Sequence, residues 1–170
     1  MEKNDQLFTR IKRAIPGAIV EKTPFGRSTA QSVWVDLKKI QAVAQAIRDD
    51  SELPMDWLEN FSVIQSEEDL VISYFLNSFQ MPQAFQWVVR GSLTLPKGKG
   101  KDHQRVEVGS VREIWPMATC FEEEAEELFG IEFISISGVR MTRGFNRLPE
   151  GMNGFPLRKG YEIPNGRDEV

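Results

Sequence analysis

The sequence predicts an α+β fold: a two-layer domain with a mixed or antiparallel sheet packed by helices, plus an extended C-terminal arm. Three observations lead there. Two stretches in the first fifty residues carry apolar residues at helical spacing. The middle of the chain is dominated by β-branched and aromatic runs, and a third helical pattern follows it. These blocks do not alternate as regular βαβ units, so a doubly wound parallel sheet is disfavoured.

The elements follow in order. Leu7, Phe8, Ile11 and Ala14 recur at helical spacing, with Asn4 or Asp5 available as N-cap and Pro16-Gly17 as the stop. Ala18 to Glu21 and Ser32 to Val35 read as short strands joined through Pro24 and Gly26. Asp36 then suits the cap of a second helix, whose Leu37, Ile40, Ala44 and Ile47 share one face. Phe61 to Ile64 and Leu70 to Leu76 form a hairpin around a longer loop, Gln65 to Asp69. Phe85 to Leu95 and Arg105 to Val108 supply two more strands, separated by a basic glycine-rich loop. Pro116 fits the first turn of a third helix that runs to Leu128 or Phe129, with Gly130 as its C-terminal cap. Ile131 to Ile136 is a last strand. Residues 1–137 are thus the expected α+β domain, including the helix at about 116–129, and 138–170 the extended docking arm.

Composition narrows the function. The 170 residues suit one domain, and 41% hydrophobic with 27% charged residues describes a globular chain. A net charge of -4 offers no basic excess for nucleic acid. No apolar run approaches the roughly 18 residues of a membrane span, and no apolar signal core follows the polar N-terminus. Cys120 and His103 are the only residues of their kinds, which excludes a zinc ribbon or an iron–sulfur cluster held within this chain.

Three features could carry chemistry. The third helix places Met117, Phe121, Ala125 and Leu128 on an apolar face, with Glu122, Glu123, Glu126 and Glu127 off it and Glu124 at the border. Like charges at i, i+4 cost roughly 0.2–0.5 kcal/mol per pair. The face is therefore either solvated or neutralised by a basic surface; use of the carboxylates for metal binding or acid–base work is a further alternative. Arg140, Arg143, Arg147, Arg158 and Lys159 make the C-terminal segment basic. Such arginines can be held by carboxylates of a partner or of this chain's own acidic helix; a loose solvated tail would not need Phe155, Pro156, Leu157 and Tyr161. Lys97, Lys99 and Lys101 alternate with glycine between strands, as a mobile hairpin tip does, and not at a helix start as a phosphate loop requires. Cys120 reads as a buried or semi-buried thiol.

Two blocks carry a family resemblance. Ser110-Val111, Ile114-Trp115-Pro116, Ala118, Glu122, Glu124, Leu128-Phe129-Gly130-Ile131 and Phe133 resemble the S-x-x-x-I-W-P-x-A-x-W-x-E-R-E-x-x-D-L-F-G-I-x-F signature of the C subunit of respiratory NADH–quinone oxidoreductase (complex I). Leu148-Pro149-Glu150, Gly154, Pro156-Leu157-Arg158-Lys159 and Tyr161 are similar to its L-P-E-D-W-x-G-H-P-L-R-K-D-Y block. The departures are Glu123 at the family's Arg, Glu127 at its Asp, Cys120 at its second Trp, Gly160 at its last Asp, and a rewritten stretch from Ile134 to Arg147.

The resemblance implies a non-catalytic peripheral-arm subunit that is cytoplasmic and peripheral to the cell membrane. It would scaffold the complex by docking on the large subunit that helps form the quinone site. No catalytic residue, cofactor or metal is then expected on this chain; NADH, flavin, iron–sulfur clusters and quinone are expected on partner subunits, and the membrane is met only through the complex. Glu122, Glu124, Phe129, Gly130, Pro156, Leu157, Arg158, Lys159 and Tyr161 are the implied partner-binding residues. An accessory subunit of a membrane-bound nickel–iron hydrogenase-type complex, or a stand-alone adaptor that kept the fold, is the alternative.

Overall fold

The computed structural model describes residues 2–24, 31–80, 87–96, 104–139, 148, 152 and 154–162. Its helices are α1 (Glu2–Ala14), α2 (Ile40–Arg48) and α3 (Ala118–Phe129). Its strands are β1 (Ile19–Pro24), β2 (Gln31–Val35), β3 (Trp57–Ser66), β4 (Asp69–Asn77), β5 (Trp87–Thr94), β6 (Val106–Gly109) and β7 (Ile131–Ile134). The α+β class is the one the sequence predicts. The lysine loop, His103, Arg140, Arg143 and Arg147 lie outside the described residues.

A five-stranded mixed sheet has the order β1-β2-β5-β4-β3. All its neighbours are antiparallel except β2 and β5, which run parallel. One face of this sheet is buried. Along β4, Leu70, Ile72, Tyr74 and Leu76 are fully enclosed while Val71 and Phe75 on the other face are half-buried, the period of two that a strand dictates. Leu7 and Ile11 of α1 and Ile40, Val43, Ala44 and Ile47 of α2 belong to the same core cluster. Each set recurs at three- and four-residue spacing, so one stripe of each helix is turned inward.

Beside this sheet stands a second unit, β6-α3-β7, whose two short strands pair parallel. The α3 helix supplies the crossover that parallel strands require. Gln41 of α2 ties the unit to the rest, its side-chain amide donating to the Ser110 and Ile134 carbonyls at 3.1 and 2.9 Å. Gly109 admits this contact, since a Cβ there would lie 2.8 Å from the Gln41 side chain.

Several expectations are corrected. Helix α1 starts at Glu2, ahead of Asn4 and Asp5, so neither caps it. The β3–β4 hairpin closes more tightly than read: Gln65 still pairs with Leu70 and Ser66 with Asp69, leaving Glu67-Glu68 as the turn. Glu67 takes the left-handed backbone such a turn needs (φ 44°). Pro116 lies in a turn before α3, which starts at Ala118, so Met117 is outside the helix and 57% exposed. Cys120 is exposed and not buried. Asp36 does cap, accepting the Lys38 N–H at 3.0 Å, but at a 3-10 turn over Leu37–Lys39 that leads into α2.

Candidate functional site

The acidic helix α3 turns part of its charge inward. Glu122 has no solvent exposure, and Glu123 and Glu126 are each 9% exposed. The partners of Glu122 and Glu123 come from the chain just before the helix. Ser110 Oγ donates to Glu122 Oε2 at 2.7 Å, the Val111 N–H to Oε1 at 2.8 Å, and Arg112 Nε to Oε2 at 2.7 Å. Arg112 is itself buried and also lies 3.8 Å from Glu123. A fully desolvated carboxylate is tolerated only with such a set of donors.

The electrostatics of Glu122 are a contest. Burial pushes its carboxyl up, while the Val111 N–H, the Ser110 hydroxyl and the Arg112 guanidinium pull it down; the balance is a pKa raised to about 7. Next to it, burial and then the Glu122 charge push the Tyr74 phenol well above its ordinary value. Phe61 packs edge-on to Tyr74 at 5.2 Å between ring centres and parallel to Phe121 at 6.1 Å. The sequence pattern placed Glu122, Glu123 and Glu126 off the apolar face; Arg112 is the cation beside the first two and Arg105 the one beside Glu126.

At the other end of α3 the arm closes on its own chain. Gly130 caps the helix in the left-handed conformation (φ 66°). A Cβ at Gly130 would run into the Phe155 ring, so the residue is fixed both by backbone and by close approach. Arg158 is buried, donates from Nε to the Phe129 carbonyl at 2.7 Å, and stacks over Phe155 at 4.4 Å. A second guanidinium nitrogen reaches the Gly130 carbonyl at 3.4 Å. A cation thus sits on the carbonyls where the helix dipole is negative. The Leu157 N–H donates to the Leu128 carbonyl, and the Lys159 N–H to Gln65 Oε1 at the tip of β3. Arg105 joins from the start of β6, 3.6 Å from Glu126, 3.8 Å from Glu132 and over Phe155 at 5.2 Å.

The nine residues singled out from the sequence therefore divide. Glu122, Gly130 and Arg158 are enclosed; Phe129, Pro156 and Tyr161 are half-buried; Glu124, Leu157 and Lys159 are exposed. Phe129, Gly130, Leu157 and Arg158 come together at one corner, whereas Glu122 lies further up the helix among Ser110, Val111 and Arg112. Among the described residues no three His, Cys, Asp or Glu side chains are grouped to hold a metal ion. No helix among them is long and apolar enough to cross a membrane.

The sequence alone did not single out an open apolar groove at the approach to α3. Asp56, Trp57 and Leu58 of the β3 end line it with Phe79, Trp115, Pro116 and Met117. Trp57 is 41% exposed and Phe79 61%, and their rings lie 4.1 Å apart. The hairpin register could have found them, because Trp57 pairs with Asn77, two residues before Phe79.

Comparison with known proteins agrees with the two motif blocks. Residues 33–167 match the family described as respiratory-chain NADH dehydrogenase, 30 Kd subunit. A protein of Roseiflexus sp. (strain RS-1) named as the C subunit of NADH-quinone oxidoreductase is 31% identical over 170 residues, with 98% of this chain and 87% of the relative covered. Its counterpart in Roseiflexus castenholzii (strain DSM 13941 / HLO8) is 30% identical over the same shares. A protein of Acidiphilium cryptum (strain JF-5) named as the C/D subunit of NADH-quinone oxidoreductase is 28% identical over 141 residues, covering 76% of this chain and 21% of the relative. The chain belongs to the 30 Kd subunit family of respiratory-chain NADH dehydrogenase.

Proposed function

We propose that this chain is a non-catalytic scaffold of the peripheral arm of an NADH–quinone oxidoreductase, docked on the neighbouring large subunit. In this reading NADH, flavin, iron–sulfur clusters and quinone are handled by partner subunits. The chain sits on the cytoplasmic side and meets the membrane only through the complex. The observation that carries the reading is similarity to C-type subunits of that enzyme over nearly the whole chain. The relative named as a C/D subunit supports the choice of partner, since in it a segment like this chain is one part of a much longer protein.

The site residues take different parts in this role. Glu124, Pro156, Leu157, Lys159 and Tyr161 offer the contact surface. Glu122, Gly130 and Arg158 hold that surface in shape, because buried groups with partners inside the chain position others and do not touch a neighbour themselves. Phe129 does both, giving its carbonyl to Arg158 and part of its ring to the surface.

The test is co-expression with the D-type large subunit of the same organism, followed by native mass and quinone-reductase assays of the assembled complex. Stoichiometric co-purification is the expected result. A chain that runs alone at native expression and leaves quinone reduction unchanged when deleted would overturn the role.

A further inference from the structure

We infer that the groove lined by Trp57, Phe79, Trp115, Pro116 and Met117 is a second docking site, and that its occupant is a segment of the large subunit with an aliphatic or aromatic anchor beside Arg or Lys. This inference rests on the proposed scaffold role and adds to it a surface distinct from the C-terminal arm.

The groove has the chemistry of an interface centre. Trp57, Phe79 and Met117 are 41%, 61% and 57% exposed and stand together, whereas scattered exposed apolar residues need no explanation. Trp, Phe and Met are the residue types enriched where partners bury each other. The floor is preorganised. Trp115 Nε1 donates to the Met55 carbonyl at 2.9 Å, joining the lead-in to α3 to the lead-in to β3. The Phe79 N–H donates to Asp56 Oδ1 at 2.8 Å, which fixes the two sides of the opening. Little further ordering of this side is therefore needed when an occupant binds.

Charge selects the occupant. The groove and the hollow adjoining it, which runs past Trp57 and Phe79 to Asn77, carry Asp56 and Glu59 and no Lys or Arg among their lining residues. The Glu59 carboxylate accepts from Asn77 Nδ2 at 2.6 Å and is held at the rim. Apolar floor with acidic rim complements an apolar anchor flanked by cations. A second copy of this chain fits poorly, since a two-fold contact would set Asp56 and Glu59 against their own counterparts in a chain of net charge -4. An anionic lipid surface meets the same repulsion.

A photo-crosslinking amino acid placed at Phe79 or Met117, in the full chain co-expressed with the D-type large subunit, tests the site. Crosslinks should map to a large-subunit segment with Lys or Arg next to an apolar residue. Trp57→Ala should weaken association by about tenfold or more. Glu59→Lys, a surface change that leaves the floor intact, should slow association and reduce its sensitivity to salt. Crosslinks to a second copy of the chain, or binding of Trp57-dependent character to anionic vesicles, would overturn the assigned occupant. If the complex assembles normally with Trp57→Ala and Glu59→Lys, the groove inference fails while the scaffold role stands. If no complex forms with the unaltered chain, both fall.

Discussion

The two ends of α3 are finished in opposite ways. At the C-terminal end, Phe155 and Arg158 cover Gly130 and the last carbonyls, so the buried cation of the arm is consumed within the chain. At the approach to the helix, Pro116 and Met117 stand beside Trp57 and Phe79 with nothing among the described residues covering them. One corner has the geometry of a finished core and the other that of an unfinished one. A basic, proline-marked tail in a sequence is thus no measure of how much surface is left for a partner. The buried cation here is structural, and the exposed aromatic residues Trp57 and Phe79 are where apolar surface remains.

The largest effect separating these regions should come from Glu122, which holds the chain before α3. Glu122→Ala leaves Arg112 and the Val111 N–H buried without their acceptor and should cost about 3–5 kcal/mol in urea denaturation. The double change Glu122→Leu with Arg112→Met should cost less than Glu122→Ala alone; a cost equal to the sum of the single changes would break the claim that the two act as a pair.

The same carboxyl gives a pH signature. Its pKa in the folded chain is raised to about 7 from 4.5, so the folded state holds the proton longer than the unfolded one. Its contribution to stability is full below the ordinary value and falls as pH rises to about 7. Asp50 runs the other way. Burial favours its neutral form, but bonds from Arg10 and from the Leu53 and Glu52 N–H groups bring the carboxyl below its ordinary value. Its contribution is full above the ordinary value and is lost as pH falls below it. Glu122→Gln should therefore flatten the stability profile between about pH 5 and 7 and leave the acid limb unchanged, as read by thermal melts across that range.

At the closed corner, Gly130→Ala should cost about 1–2 kcal/mol for the left-handed backbone and about 1–3 kcal/mol more for the collision with Phe155. In a Phe155→Ala background only the first part should remain; an unchanged cost would show that the arm does not press on the helix cap. Arg158→Ala comes next, at about 1–2 kcal/mol, since it removes a charged donor from the Phe129 carbonyl and the stacking over Phe155. The smallest effect belongs to the open corner. Phe79→Ala in the isolated chain should stay within about 0.5 kcal/mol, and a larger loss would mean the groove is core after all.

What the sequence made legible was what local rules decide. Asp36 caps because its carboxylate reaches an N–H two residues on, and Gly130 ends α3 because only glycine is comfortable there. Both are short-range facts. The tight β3–β4 turn was hidden because its strands stay paired through polar residues at an exposed tip, where nothing demands an apolar side chain. The inward charge of α3 was hidden for a different reason. A helical wheel sorts side chains by polarity, and Glu122 becomes an interior residue only once Ser110 and Arg112 arrive from the preceding loop. The reversed charge at Glu123, conspicuous against the family motif, likewise meets Arg112 in the same chain.

Gln41 carries a consequence for how the chain assembles. The β3, β4 and β5 strands are consecutive and antiparallel, so they can zip from a two-residue turn with little loop to close. The β6-α3-β7 unit can also close within its own stretch. The Gln41 amide, however, binds carbonyls 69 and 93 residues further along the chain. A nascent chain exposes that amide, with the α2 face beneath it, well before either acceptor has been synthesised. Seating of the β6-α3-β7 unit on α2 is therefore a late event, and exchange of the Gln41 side-chain amide should report its release before the meander opens.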